Sequence, residues 1–272
     1  IGSPLAAALA PLGSFFGLSL PAALIFCLSA FIGTPSALVV MGLAALDLRE
    51  ATILSVKVLF SHDLVREAGL MKNAGSPGAK LPFLRLLTSI VSAAALNVVL
   101  PGSLASLRFG ARLDIARLAF WPAMGAWGFS LAKVAIAISI TLLIVRTAQR
   151  ILEGFRVLEL LSAVLGPFMK LFGLPIPWSA FWVSANVSGY DFCAAQLRGA
   201  ISDGKLKAQE GDLFNHHAAF CHALLEDTVL FAVAGVSLFW IIIPRLAAAF
   251  VYVWIERARR RFVRRSFRAG VA

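Results

Sequence analysis

Three long apolar stretches decide which solvent this chain folds in. Leu81–Leu104, Ile115–Val145 and Leu238–Ile255 each carry only one or two charges. A helix needs about 20 mostly apolar residues to cross a bilayer, and all three come close to that length or exceed it. Composition leads to the same solvent. Only 14% of the 272 residues are charged, 60% are hydrophobic, and the mean hydropathy is +0.85. A soluble domain carries about 25% charged residues and needs them to cover its surface. In lipid the apolar side chains face outward, while every backbone polar group must be satisfied internally. The chain therefore reads as an all-α, multi-pass integral membrane protein.

The net charge of +11 is concentrated at one end. Arg257, Arg259, Arg260, Arg261, Arg264, Arg265 and Arg268 follow the apolar run Leu238–Ile255. Arginines just beyond a span mark its cytoplasmic end and contact anionic lipid headgroups, so the partner implied is membrane lipid and not nucleic acid. Cys27, Cys193 and Cys221 are scattered in apolar segments without a CxxC, which indicates neither a disulfide framework nor a thiolate metal site. The opening residue, Ile1 in place of Met, points to a start further upstream, and no cleavable signal peptide is evident.

Two further helices, Ala51–Met71 and Leu206–Val233, carry histidine and acidic residues and are expected to face protein or water. Leu20–Phe31 with Pro35–Leu46, and Pro175–Val187 with Tyr190–Ile201, are pairs of segments too short to cross. They are broken at Gly33-Thr34-Pro35 and at Ser188-Gly189 and predict two re-entrant hairpins. Phe155–Phe172 reads as an amphipathic helix lying in the interface.

The two halves of the chain resemble each other. Phe16 to Pro21 matches Phe172 to Pro177, and Gly33 matches Gly189, at an offset of 156 residues. After a short insertion the offset becomes 160. His62 then pairs with His222, Leu64 with Leu224, Glu67 with Asp227, Ala74-Gly75 with Ala234-Gly235 and Arg85-Leu86 with Arg245-Leu246. The expected fold is two inverted repeats, each a re-entrant helical hairpin followed by two helices, plus one linking span and one interfacial helix. Within a single transmembrane domain (1–272), repeat one covers 15–104, the linking span and interfacial helix 105–170, repeat two 171–257 and the basic cytoplasmic tail 258–272.

Three crossings between the hairpins, Ala51–Met71, Leu81–Leu104 and Ile115–Val145, invert the second repeat. With the arginine tail inside, Lys72, Lys80, Arg146, Arg150, Arg156, Arg198, Lys205 and Lys207 also fall inside, against Arg108, Arg112 and Arg117 outside.

Ser61-His62-Asp63-Leu64 with Arg85-Leu86, and Cys221 to Thr228 with Pro244-Arg245-Leu246, resemble the nucleoside-recognition, or Gate, family of membrane proteins. That family includes spore maturation membrane proteins and shares its architecture with concentrative nucleoside transporters and the membrane part of ferrous iron transporters. The resemblance implies the hairpin-and-span architecture and a place in a bacterial cytoplasmic (inner) membrane. The Gln-Thr-Glu type signature of sodium-coupled nucleoside transporters is replaced here by Gly33-Thr34-Pro35-Ser36-Ala37.

Ionisable groups within a bilayer are costly and mark solute, ion or proton paths. The residues selected on that ground are His62, Asp63 and Glu67, with His222, Glu226 and Asp227; as i and i+4, His222 and Glu226 would share a helix face. These groups equally suit a structural role, bonding broken helix ends. Thr34, Ser36, Asn186, Ser188 and Asp191 stand at the hairpin tips, where half-helix termini bind ions or are simply capped. Arg85 and Arg245 are candidates for ion pairs with the acidic residues. His216, His217 and His222, beside Asn215 and Cys221, form a metal-ligand set without standard zinc spacing.

No phosphate-binding glycine loop, nucleophile elbow or H-E-x-x-H occurs, so an enzyme is not expected. The function expected is a membrane transporter-like protein moving a small polar solute or ion through a central site between two inverted repeats, with sodium or proton as coupling ion, in a homo-oligomer. The alternatives are a non-transporting scaffold or maturation subunit and a divalent metal ion carrier.

Overall fold

The computed structural model describes residues 4–44, 46–102 and 119–269, with side chains for all of these except residues 5 and 264–269. The expected outside residues Arg108, Arg112 and Arg117, and the start of the Ile115–Val145 span, lie outside the described residues, as do the side chains of Arg264, Arg265 and Arg268. Among the described residues the chain is helical and has no strand. In order come α1 (Pro4–Phe16), α2 (Leu20–Leu28), α3 (Thr34–Leu43), α4 (Leu48–Ser61), α5 (Leu64–Asn73), α6 (Lys80–Val99) and α7 (Phe120–Gly154). Then follow α8 (Val157–Leu171), a 3-10 turn (Ile176–Trp178), α9 (Ser179–Val183), a π-helical turn (Ser184–Ser188) and α10 (Tyr190–Ser202). The chain closes with α11 (Ala208–Ala218), α12 (Leu224–Val233) and α13 (Leu238–Ala269).

Three of these helices, α6, α7 and α13, are long and apolar enough to cross a bilayer, and in each only 22% of the spanning window is buried. Their outer faces carry Phe83, Val91, Ile136, Ile140, Leu143, Phe239, Ile243 and Val251, all exposed. A water-soluble helix buries its apolar stripe; these display theirs, as lipid-facing spans do. The inner stripe of α6 recurs at helical spacing through Leu81, Arg85, Ser89, Ala93 and Leu96, all buried. The helix α8 matches the expected amphipathic segment, burying Gly166 and Met169 while exposing Leu160, Val164 and Phe168.

Several expectations are corrected. A helix precedes the first hairpin: α1 meets α2 at 90° through Gly17, whose φ is +62°. The tail from residue 258 is not a separate segment but continues α13 as helix. Most consequentially, Ala51–Met71 and Leu206–Val233 are not single helices. Each is two, and neither part is long enough to cross alone.

The break in Ala51–Met71 falls at His62, which is extended (φ −69°, ψ 155°), and Asp63, which is left-handed (φ 46°). Aspartate tolerates that region better than most residues. The amides freed by the break find acceptors in the first hairpin, Leu64 N–H donating to the Ala30 carbonyl at 3.0 Å and Asp63 N–H to that of Ile32 at 3.4 Å. The second break falls at Ala223, also left-handed (φ 50°), whose N–H donates to the Ala185 carbonyl at 2.8 Å. Non-helical backbone survives at membrane depth only when protein supplies such partners.

Backbone geometry recurs at the offsets found in the sequence. Asp63 and Ala223 share a left-handed conformation, Gly75 and Gly235 have φ of 98° and 105°, and Gly17 and Gly173 of 62° and 70°. The Ser76 amide donates to Met71 and that of Val236 to Phe231, both at 3.0 Å; the Leu18 amide donates to Gly13 and that of Leu174 to Met169, both at 2.8 Å. At both 75 and 173 the need for glycine is steric as well as conformational. A Cβ on Gly75 would collide with the Ala208 carbonyl, and one on Gly173 would lie 2.9 Å from Arg257 Cδ.

Two compact units make up the chain. The first comprises Ile1–Leu64, Leu86–Thr147 and Glu226–Ile242; the second comprises Val65–Arg85, Ala148–Leu225 and Ile243–Ala272. Each unit thus includes the stretch just after the helix break of the other half of the sequence.

Candidate functional site

One group of buried charge in the second unit gathers around Glu67. This residue lies in the first turn of α5, where a helix N-terminus favours a carboxylate. Arg85, one helix later, donates to Glu67 Oε2, and both side chains are almost fully buried, 1% and 3% exposed. The other carboxylate oxygen, Oε1, is 3.3 Å from His222 Nε2. Arg245, from α13 and wholly buried, donates to the His222 carbonyl. The Tyr190 ring lies 5.5 Å from the imidazole.

The backbone contact of His222 fixes which ring nitrogen carries a hydrogen. His222 Nδ1 is 2.7 Å from the Ala218 carbonyl. A carbonyl only accepts, so Nδ1 carries a hydrogen. In a neutral ring Nε2 then presents a lone pair to Glu67, which is repulsive if the glutamate is ionised. The contact is attractive when one proton is shared, as imidazolium with carboxylate or as imidazole with carboxylic acid. On its far side Glu67 is tied to Arg85.

Behind it stands Asn215, fully buried on α11. Its Oδ1 accepts from the Tyr190 hydroxyl at 2.8 Å, while its amide donates towards Ser76 Oγ at 2.9 Å and the Met71 and Ala74 carbonyls at 3.2 Å. Asn215 therefore fastens the end of α5 to α11 and α10. Gly211, one turn earlier, permits the close approach, since a Cβ there would strike the Ala74 carbonyl. Tyr190 was not foreseen; its position directly after Gly189, opening α10 at the hairpin break, was the available signal.

A second cluster lies where α11 meets the basic end of α13. Glu256 accepts from Lys80 at 2.6 Å, Arg259 at 2.7 Å and Arg260 at 2.7 Å, and Arg260 also reaches Asp212 at 2.5 Å. His216 is 3.6 Å from Glu256 and 3.7 Å from the Asp212 carboxylate. Beside it a cleft of about 310 Å³ is lined by Pro175, Trp178, Glu210, Leu213, Arg257, Arg260 and Arg261. In the exposed link between α7 and α8, the Glu159 carboxylate holds the Arg156 guanidinium pKa above its ordinary value through a hydrogen bond.

The remaining selected residues are spread more widely. His216, His217 and His222 have different neighbours: His217 Nε2 accepts from Trp182 Nε1 at 2.7 Å, while His216 faces Glu256 and His222 faces Glu67. At the second hairpin, Asn186 is buried and donates to the Trp182 carbonyl at 2.9 Å, Ser188 donates to Glu153 at 2.6 Å, and Asp191 pairs with Arg66 at 2.5 Å on the exterior. In the first unit, His62 Nδ1 lies 2.9 Å from the Val58 carbonyl, Thr34 is buried, and Ser36 is exposed. The Asp63 carboxylate lies beside Gly33 at the N-terminus of α3. Glu226 pairs with Arg146 at 3.0 Å, and Asp227 is buried at 1% exposure. The i, i+4 relation expected of His222 and Glu226 does not apply, because Ala223 interrupts the helix between them.

Comparison with known proteins identifies a membrane protein. The chain is 25% identical over 245 residues to the uncharacterized membrane protein YvoD of Bacillus subtilis, covering 88% of this chain and 77% of that protein. No family model matches the chain. No solved structure matches it.

Proposed function

We propose that this protein is a membrane transporter of the Gate type, built from two inverted repeats, which moves a small polar solute past the Glu67–Arg85–His222 cluster. The observation that carries the reading is that cluster: three ionisable side chains, all nearly fully buried, two of them beside helix breaks. Such groups are expensive inside a membrane protein and characteristically line a solute or proton path. Matching left-handed residues at Asp63 and Ala223, and matching turns at Gly75 and Gly235, support the repeat. Discontinuous helices at equivalent places in two halves are the usual construction of a midplane site. Placement in a bacterial cytoplasmic membrane with the C-terminus inside is supported by the arginine-rich end of α13.

The divalent-metal alternative has less support. In the Asp212–His216–Glu256 group, three side-chain cations already occupy the carboxylates, which leaves little negative charge for an ion.

The test is a thermal-shift panel of nucleosides, nucleobases, small organic anions and divalent metals on the purified protein and on His222→Ala. A ligand at a hundred times its dissociation constant stabilises the folded state by about 2.7 kcal/mol. The reading expects a shift in the wild type that His222→Ala loses. A panel without any shift, together with reconstituted vesicles that take up none of these solutes, would overturn it in favour of a scaffold.

A further inference from the structure

The apolar run Ile53–Phe60 contains one charged residue, Lys57, which the structure buries to 1% exposure. Its polar contact among the described residues is with Ser29 Oγ, at 2.7 Å from Nζ. Ser29 donates its own hydrogen to the Phe26 carbonyl at 3.0 Å, so its oxygen is free to accept from the lysine. Ser29 is also the C-cap of α2, where the unpaired carbonyls of a half-helix present partial negative charge. The face of Phe26 completes the surroundings, with Nζ 4.9 Å from the ring centroid.

A hydroxyl, a helix C-terminus and an aromatic face all stabilise a cation, but none is an anion. The elements packed on α4 add little. On α2 the ionisable side chain is Cys27, which is exposed, and α3 carries none. On α4 itself Glu50 lies two turns away and accepts from the Ser19 amide at 2.5 Å, while His62 follows its last turn. Among the described residues no carboxylate pairs with Lys57. A buried ammonium stabilised this weakly loses much of its advantage over the neutral amine. The position 160 residues later holds another buried nitrogen base, His217, on α11.

We propose that Lys57 is a proton-binding site of the first hairpin, where its amine takes up and releases a proton in the place that an external monovalent cation would otherwise fill. Half-helix C-termini of this kind are where transporters hold their sodium ions or protons, and an ammonium needs no ion from solution. That this proton drives transport rests on the transporter reading; the proton site itself does not, and its test involves no solute.

The experiment follows the apparent melting temperature of the purified full chain in detergent from about pH 6 to about pH 10.5, below and up to the ordinary lysine value. It compares wild type with Lys57→Met, Lys57→Gln and Lys57→Arg, each in sodium and in choline chloride. Burial favours the neutral amine in the folded state, so the unfolded chain binds the proton more tightly. Wild type must then gain stability relative to Lys57→Met and Lys57→Gln as the pH rises towards about 10.4. Each tenfold difference in proton affinity moves the melting temperature by about 3–5 °C. Lys57→Gln keeps a donor for Ser29 and stands in if Lys57→Met does not fold. Lys57→Arg stays charged throughout and must lack the gain. Sodium must leave the wild-type value unchanged. Parallel curves for wild type and both uncharged variants would overturn the proposal. So would a rise in wild-type stability with sodium, which would put an external cation at the site.

Discussion

The Glu67–Arg85 pair offers the sharpest test of how buried charge is held in this protein. Replacing Glu67 with glutamine removes the anion to which Arg85, 1% exposed, donates. Breaking a buried pair from one side costs about 3–5 kcal/mol, because the remaining charge is still out of water. The Arg66–Asp191 pair of the same unit provides the control, since its side chains are 52% and 63% exposed. An exposed pair of the same chemistry contributes about 0–1 kcal/mol. Glu67→Gln and Arg85→Met are therefore each expected to lose several times what Asp191→Asn loses. The double variant Glu67→Met/Arg85→Met should recover much of the loss, as apolar replacements of buried pairs do. Reversible unfolding in mixed micelles, arranged as a double-mutant cycle, measures the coupling directly. A cost for Glu67→Gln no larger than for Asp191→Asn would refute the reasoning, and would mean that the cluster opens to solvent.

Other predictions concern the breaks and the close approaches. Ala223→Gly relieves a left-handed alanine and is expected to raise stability by about 1 kcal/mol, whereas Ala223→Val lowers it, as thermal unfolding would show. Gly211→Ala and Gly75→Ala each drive a methyl group into a backbone carbonyl and are expected to cost about 1–3 kcal/mol or to abolish accumulation of folded protein, read by size-exclusion profile. Asn215→Ala leaves the Ser76 and Tyr190 hydroxyls and two backbone carbonyls short of a partner; a loss of about 2–3 kcal/mol in chemical unfolding is expected. Arg257→Gln with Arg261→Gln, in the arginine-lined cleft, should reduce the stabilisation that vesicles of phosphatidylglycerol give over those of phosphatidylcholine.

Sequence alone determined the solvent and the coarse elements. Apolar length is a local property, so α6, α7 and α13 were legible from composition along the chain, as were the hairpin interruptions at Gly33 and Gly189, where glycine and proline advertise the break. The amphipathic α8 was legible for the same reason: its pattern repeats every turn. The breaks at His62-Asp63 and at Ala223 were not. Neither carries a glycine or proline, and the local pattern continues as helix. They exist because carbonyls at Ala30, Ile32 and Ala185, far off in sequence, accept the amides that the helix gives up. Partner choice was equally hidden. That Arg85 takes Glu67, that Arg245 takes the His222 carbonyl, and that the three neighbouring histidines face different partners all depend on which helix faces meet. Tertiary packing sets that geometry, because a buried charge must take whatever acceptor the fold brings within reach.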